Sequence, residues 1–298
     1  MRLVTGGSGL VGSAISARFK PSSKELNLLH DQNKIVEYLL MNNITEVIHC
    51  AGKIGGVLTN SENQASFLVD NTRMNMNLLE ACRITRIKKV VCFASTCVFP
   101  AEAEYPLTVD QIGSGPPHHT NYGYAYAKRL MIEQCRAYKD QYGYNYNVLI
   151  PCNIYGPNDN YNLYSSHIIP ALIHKAYLAE KNGTPLEVWG DGTPIREFIY
   201  SEDIADIAVK MLDYEGDEPV IASPNEDYSI GDIAVAIADV YNIKEIEFLT
   251  DRPNGIHKKP SDNSSLLEFI PNITFTPLKE GLNKSIEWFD LNYGNARI

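Results

Sequence analysis

The chain is predicted to be an α/β protein, a doubly wound parallel sheet followed by a smaller, loop-rich portion. Three observations predict it. Short apolar, β-branched runs alternate with helix-like segments through the first half, as parallel sheets require. A glycine-rich turn joins the first strand to the first helix. After Pro151 the texture changes: Gly, Pro, Asn, Tyr and Ser crowd 153–166, and turn-rich stretches recur at 182–196 and 251–265.

The elements follow in order. Arg2–Thr5 reads as a strand, 12–19 as the start of a helix, and 31–41 as an amphipathic helix opened by Asp31. Residues 46–50 read as a strand, 63–83 as a long helix, 89–95 as a strand, 122–142 as a helix and 147–151 as a strand. The expected organisation is a dinucleotide-binding portion over 1–155 and a substrate-binding portion over 156–298, with some later segments returning to the first sheet. Lys88-Lys89-Val90-Val91-Cys92-Phe93-Ala94 has the make-up of a strand buried on both faces, yet it runs into Ser95-Thr96-Cys97. If the extended geometry persists, Ser95 and Cys97 share a face at a strand's carboxyl end, where open parallel sheets bind ligands. Taken alone, such an ending is more often turn formation and packing than chemistry.

A net charge of −10 over 298 residues argues against nucleic acid or an anionic membrane as partner, because neither offers positive charge to an acidic surface. A local basic pocket for phosphates is compatible with it. The six cysteines at 50, 82, 92, 97, 135 and 152 form no C-x-x-C pair and mostly lie in apolar segments, which reads as reduced thiols. With Met1 leading directly into the first strand and no apolar run of about eighteen residues, the expectation is a soluble, cytoplasmic protein. No metal site is expected.

Gly6, Gly9 and Gly12 lie between the first strand and a helix start. Glycines there allow a tight turn and let a pyrophosphate approach bare backbone at free N–H groups, so a Rossmann-like dinucleotide site is favoured over an ordinary Gly-rich turn. NAD sites often place an acid about twenty residues on, and Glu25 is at that distance. It follows Ser22-Ser23-Lys24, however, and two hydroxyls with an ammonium suit a 2′-phosphate and hence NADP. Lys24 is equally well a solvated surface lysine. Pro21 stops any helix early, which predicts a stunted second strand and an open adenine pocket.

Tyr124 and Lys128 are four apart, on one helical face, where an ammonium would stabilise a phenolate. With 18 Tyr and 16 Lys in the chain, about one such spacing arises by chance, and Tyr177 with Lys181 is a second match. Context selects Tyr124, whose helix follows the strand ending in Ser95. Ser95, Tyr124 and Lys128 behind a dinucleotide loop fit hydride transfer to or from a carbonyl or alcohol.

The chain resembles the extended short-chain dehydrogenase/reductases nearly end to end. The resemblance is carried by Ser95-Thr-Cys97-Val-Phe-Pro, Gly115-Pro-Pro-His118, Asn153-Ile-Tyr-Gly-Pro-Asn-Asp-Asn160, Ser166-His167-Ile-Ile-Pro-Ala and Val188-Trp-Gly-Asp-Gly-Thr-Pro-Ile-Arg196-Glu-Phe. It implies a bifunctional activity on a GDP-sugar: inversion of C3 and C5 of GDP-4-keto-6-deoxy-mannose, then reduction of the C4 ketone with NADPH. By the resemblance Cys97 and His167 carry the inversion, Ser95 and Tyr124 serve the ketone oxygen, and Lys128 holds the nicotinamide ribose. The implied cofactor set adds Ser8, Leu10 and Val11 to the glycines, with Ala94, Asn153 and Ile154 near the nicotinamide. The implied GDP set is Lys175, Trp189, Arg196, Asn254 and Lys259 together with His167. Some relatives carry Arg in place of Ser8, can have Asp in place of Asn254, and commonly have Thr in place of Cys152. An NAD-dependent nucleotide-sugar 4-epimerase, which needs neither Cys97 nor His167, and a catalytically silent dinucleotide sensor are the competing readings. Helices 63–83 and 122–142 are expected to pair across a two-fold axis in a homodimer.

Overall fold

The computed structural model describes residues 1–251 and 258–298. In chain order its first half runs β1 (Arg2–Thr5), α1 (Leu10–Ala14), α2 (Gln32–Met41), β2 (Glu46–His49), α3 (Val57–Glu62), α4 (Gln64–Ile84), β3 (Lys89–Phe93), α5 (Tyr122–Tyr142) and β4 (Asn145–Pro151). Then come β5 (Asn153–Tyr155), α6 (Ile168–Asn182), β6 (Leu186–Trp189), β7 (Ile195–Arg196), β8 (Phe198–Tyr200), α7 (Ser201–Lys210), β9 (Val220–Ala222), β10 (Tyr228–Ser229), α8 (Ile230–Val240), β11 (Ile246–Leu249), α9 (Ser264–Phe269) and α10 (Leu278–Asn292).

Strands β1, β2, β3, β4 and β9 lie side by side in that order, every pair parallel. Their near-continuous apolar sequence has a direct cause, since successive side chains feed two different cores. Leu3, Val47, Val90, Cys92 and Val148 face α2, α4 and α5. Val4, Ile48, Val91, Phe93 and Leu149 face α1, α7 and α9. Each fully buried Val or Ile of this kind stabilises the fold by about 1.5–3 kcal/mol. A third core gathers Tyr155, Tyr161, Leu172, Ile173, Val188, Ile233, Ile237 and Phe289 around α6, α8 and α10. Shorter strand pairs, β5 with β8, β6 with β11 and β7 with β10, form separate two-stranded sheets. One edge strand of the main sheet, β9, comes from beyond residue 155.

The helix expected over 12–19 is shorter and earlier than that. It covers Leu10–Ala14 and ends at Ile15, whose backbone is extended (φ −80°, ψ 126°). The few residues left before Pro21 then return along β1, where a single bridge between Leu3 and Phe19 is all that stands for the second strand. The backbone N–H of Val4 donates to the Phe19 carbonyl at 2.9 Å. With this remnant on one side of β1 and β2 on the other, the order in which strands are added reverses at β1, the position at which open α/β sheets bind ligands.

Candidate active site

The glycine loop opens at that reversal. Gly6 takes a left-handed φ of +66°, and a Cβ there would come within 2.7 Å of the Ala51 backbone. At Gly12 a Cβ would lie 2.2 Å from the Gly6 carbonyl oxygen, so α1 presses directly on the loop. Side chains are excluded from the cradle at both positions, which leaves bare backbone and fits a pyrophosphate. Ser8 is exposed, and Leu10 and Val11 open the helix behind it. Past the strand remnant, Ser22, Ser23 and Lys24 are exposed together. Glu25 is committed to their turn: its carboxylate accepts the Ser22 backbone N–H and hydroxyl, both at 2.8 Å, and these bonds hold its pKa below the ordinary value. Ala94 and Ile154 lie at the carboxyl ends of β3 and in β5, and Asn153 is exposed while its amide donates to the Glu197 carbonyl at 2.9 Å.

At the end of β3 the extended geometry does not persist. Thr96–Val98 turns into a 3-10 helix with Ser95 as its cap, and the Ser95 hydroxyl accepts the Cys97 backbone N–H at 3.4 Å. A hydrogen bond, rather than strand alternation, thus ties Ser95 to Cys97. From α5, Tyr124 is buried and interacts electrostatically with Cys97. Lys128 is 3% exposed, its ammonium 5.7 Å from the Tyr124 ring centroid.

The expected lowering of the phenol is not what this geometry produces. Burial, with Cys97 second, pushes Tyr124 up, and Lys128 has other electrostatic neighbours: Cys50, Cys92, Cys135 and His49. Burial lowers Lys128 itself to about 8. Tyr124 therefore keeps its proton near neutral pH, the state a proton donor needs. Buried His49 is an electrostatic neighbour of Lys128, its ring nitrogens 2.7 Å from the Thr5 hydroxyl and 3.0 Å from Asn75 Oδ1.

His167 comes from the start of α6. It occupies the N-cap position without a side-chain cap, is exposed, and follows a segment fitted against Gly56, whose N–H donates to the Ser165 carbonyl at 2.8 Å. The protein packed around it lowers its pKa. Among the described residues no hydrogen bond links it to Cys97 or Tyr124. Two turns further along α6, about 12 Å by helical rise, Lys175 lies 5.1 Å above the half-exposed Trp189 ring and donates to the Glu187 carbonyl at 3.2 Å. Arg196 donates to the Ile195 carbonyl at 2.7 Å, and burial lowers its pKa. Lys259 lies next to Arg196 and Cys97, donates to the Thr96 carbonyl at 2.7 Å, and is lowered by burial. Asn254 lies outside the described residues. Cys152 is buried near Glu197 and Ser223, and burial raises its thiol.

The structure thus links Ser95, Cys97, Tyr124, Lys128, Lys259 and Arg196 through these contacts, and pairs Lys175 with Trp189. Sequence reasoning missed Asn121, whose amide donates to Cys97 Sγ at 3.0 Å. As an Asn directly before a helix it reads as an ordinary cap. Among the described residues no three His, Cys, Asp or Glu side chains cluster as a metal would require.

The family model for the NAD dependent epimerase/dehydratase family matches residues 2–231. The chain belongs to this family. A GDP-L-fucose synthase of Dictyostelium discoideum is 40% identical over 99% of this chain and 97% of its own length. A probable GDP-L-fucose synthase of Drosophila melanogaster is 38% identical over 99% and 98%. A GDP-L-fucose synthetase of Naegleria fowleri solved with bound NADP superposes with a TM-score of 0.92 at 36% identity, covering 100% of this chain and 94% of that one.

Proposed function

We propose that this family member is a bifunctional enzyme that inverts C3 and C5 of GDP-4-keto-6-deoxy-mannose and reduces the C4 ketone with NADPH, giving GDP-L-fucose. One observation carries the reading: a thiol shares the turn of the ketone-binding serine and lies within electrostatic reach of the buried tyrosine. Ketone reduction or 4-epimerisation would use Ser95, Tyr124 and Lys128 but has no need of that thiol. The relatives named for fucose synthesis support the same substrate.

In this reading Ser95 and Tyr124 donate to the C4 oxygen. The carbonyl withdraws electrons from the C3 and C5 hydrogens, so that the Cys97 thiolate removes one and the electron pair is held as an enolate against the two hydroxyls. Protonation from the opposite face by His167 inverts the carbon. Once both centres are inverted, Tyr124 protonates the C4 oxygen. NADPH, when bound, supplies the hydride for C4. The loop residues Gly6, Ser8, Gly9, Leu10, Val11 and Gly12 would hold its pyrophosphate, Ser22, Ser23 and Lys24 its 2′-phosphate, and Ala94, Lys128, Asn153 and Ile154 its nicotinamide end. Trp189 offers a face for guanine, with Lys175, Arg196 and Lys259 as cations for the diphosphate.

The active species is proposed to be a homodimer formed through α4 and α5, which pack together and leave Val69, Met76, Tyr126 and Leu130 exposed. A monomeric mass in solution would refute the dimer. Among the described residues no helix is long and apolar enough to cross a membrane. Six free cysteines support a reducing, cytoplasmic setting. The deciding experiment combines protein, keto-sugar and NADPH in heavy water and reads the product by NMR. Deuterium at C3 and C5 of a reduced L-fucosyl sugar is expected. Reduction without deuterium leaves a plain ketoreductase, and no turnover favours the 4-epimerase or sensor readings.

A further inference from the structure

Asn121 occupies the N-cap of α5 without acting as a cap. Caps of this kind are made at some helices, where Asp31 accepts the Asn33 N–H at the start of α2 and Ser229 forms a reciprocal capping box with Asp232 at the start of α8, and are not made by Asn63 at α4 or Asn263 at α9. At α5 the Asn121 side chain caps no backbone N–H, although asparagine is a favoured capping residue. Its amide nitrogen instead donates to Cys97 Sγ at 3.0 Å, and its Oδ1 is buried with no hydrogen-bond partner. What distinguishes Asn121 is that its side chain donates to a sulfur while its buried carbonyl oxygen is left without a partner among the described residues, a costly arrangement for an amide.

A neutral thiol is a poor acceptor, whereas a thiolate is a good one. The Asn121 contact therefore gains strength when the Cys97 proton leaves. An amide cannot take that proton for itself, so it stabilises the anion without competing as a base. From a segment far away in sequence, the Lys259 ammonium fastens to the Thr96 carbonyl at 2.7 Å and adds positive charge beside the same sulfur. The groups facing Cys97 are thus Asn121 and Tyr124 from α5 and Lys259 from the C-terminal part, with Arg196 and His118 adjoining Lys259.

We infer that Asn121 is a positioning residue for Cys97, its amide holding the sulfur as a thiolate aimed at the substrate, with the Lys259 ammonium as the accompanying charge. The role in inversion rests on the function proposed above; the thiolate cradle itself does not. In the step it serves, the thiol first loses its proton to solvent. The thiolate then forms S–H as the substrate C–H bond breaks, and the electron pair passes to the C4 carbonyl as enolate.

The test uses Asn121→Ser and Asn121→Asp, both competent helix caps, in the full-length protein. Alkylation of Cys97 by iodoacetamide at pH 7.5 is followed on the Cys97 peptide by mass spectrometry, with Cys97→Ser as blank and no substrate present. Both variants are expected to melt within a few degrees of the parent but to alkylate at least fivefold more slowly, Asp most of all, and Lys259→Met is expected to slow alkylation too. With keto-sugar, deuterium entry at C3 and C5 should fall at least tenfold, while reduction of the already inverted 4-keto sugar stays within about twofold. Alkylation at the parent rate in both cap-competent variants would overturn the inference, as would equal losses in deuterium entry and in reduction. Slowed alkylation in a protein whose parent form incorporates no deuterium would uphold the cradle and refute the epimerase reading instead.

Discussion

Two short turns, Ser22–Glu25 after the Phe19 bridge to β1 and Ser95–Val98 after β3, are built oppositely. The first is exposed and held by its own atoms: the Glu25 and Leu26 N–H groups donate to the Ser22 carbonyl, and the Glu25 carboxylate closes on Ser22. The second is half-buried and fastened from three remote positions, by Asn121 to Cys97 Sγ, by Lys259 to the Thr96 carbonyl, and by Arg129 Nε to the Val98 carbonyl at 2.7 Å. A group that moves a proton must be placed to within a fraction of an ångström. A group that attracts a phosphate works through charge on a flexible stem. Under the proposed function, rigidity lies where bonds would change.

The comparison predicts a ranking of effects. Tyr124→Phe should lower the rate of NADPH oxidation by about 10²–10⁴, the range for a positioned proton donor, with little change in KM; a loss under tenfold would mean that the buried phenol is not the donor. Cys97→Ser should cut deuterium entry at C3 and C5 by about 10² or more and spare reduction of the inverted ketone. Lys128→Met should abolish reduction yet stabilise the fold. The Lys128 pKa is lowered to about 8 by burial, so the unfolded chain binds more protons between pH 8 and its unfolded value. The penalty is full below pH 8 and is relieved as pH rises toward the unfolded value. Denaturant unfolding at pH 7 should show the variant more stable by up to about 3 kcal/mol, with the difference shrinking by pH 9.5. At the loosely held turn Lys24→Ala should reduce the preference for NADPH over NADH by only about tenfold, as expected for loss of one charge-assisted contact. A loss as large as that of Tyr124→Phe would erase the contrast between the turns.

Much of this architecture was legible in the chain. The strand at 89–93 could be read because residues buried on both faces leave a continuous apolar run, and the stunted second strand because Pro21 leaves no room for more. The helix over 12–19 was misjudged: nothing local shows that Gly12 must press on Gly6, which fixes where α1 begins. The relation of Ser95 to Cys97 was inferred from strand alternation, whereas a 3-10 turn sets it. The pairing of Tyr124 with Lys128 was visible, but the electrostatic direction was not, because the neighbours that decide it, His49, Cys50 and Cys92, come from other strands. Asn121 was hidden for a related reason. Its sequence context is that of a cap, and only the folded chain brings Cys97 within its reach.

The strand β9 carries a consequence for taking the molecule apart. It pairs with β4 through Leu149 and Val220, Ile150 and Ile221, Pro151 and Ala222, so the sheet that carries the glycine loop is completed by chain made after α6 and β6. A fragment cut at residue 155 would present β4 as a naked edge inviting any passing strand. The chain up to residue 155 is therefore not a removable module. A ribosome releasing this chain must finish most of it before the first sheet can close, and an engineer wishing to graft a new sugar pocket must carry Val220–Ala222 along with the sheet.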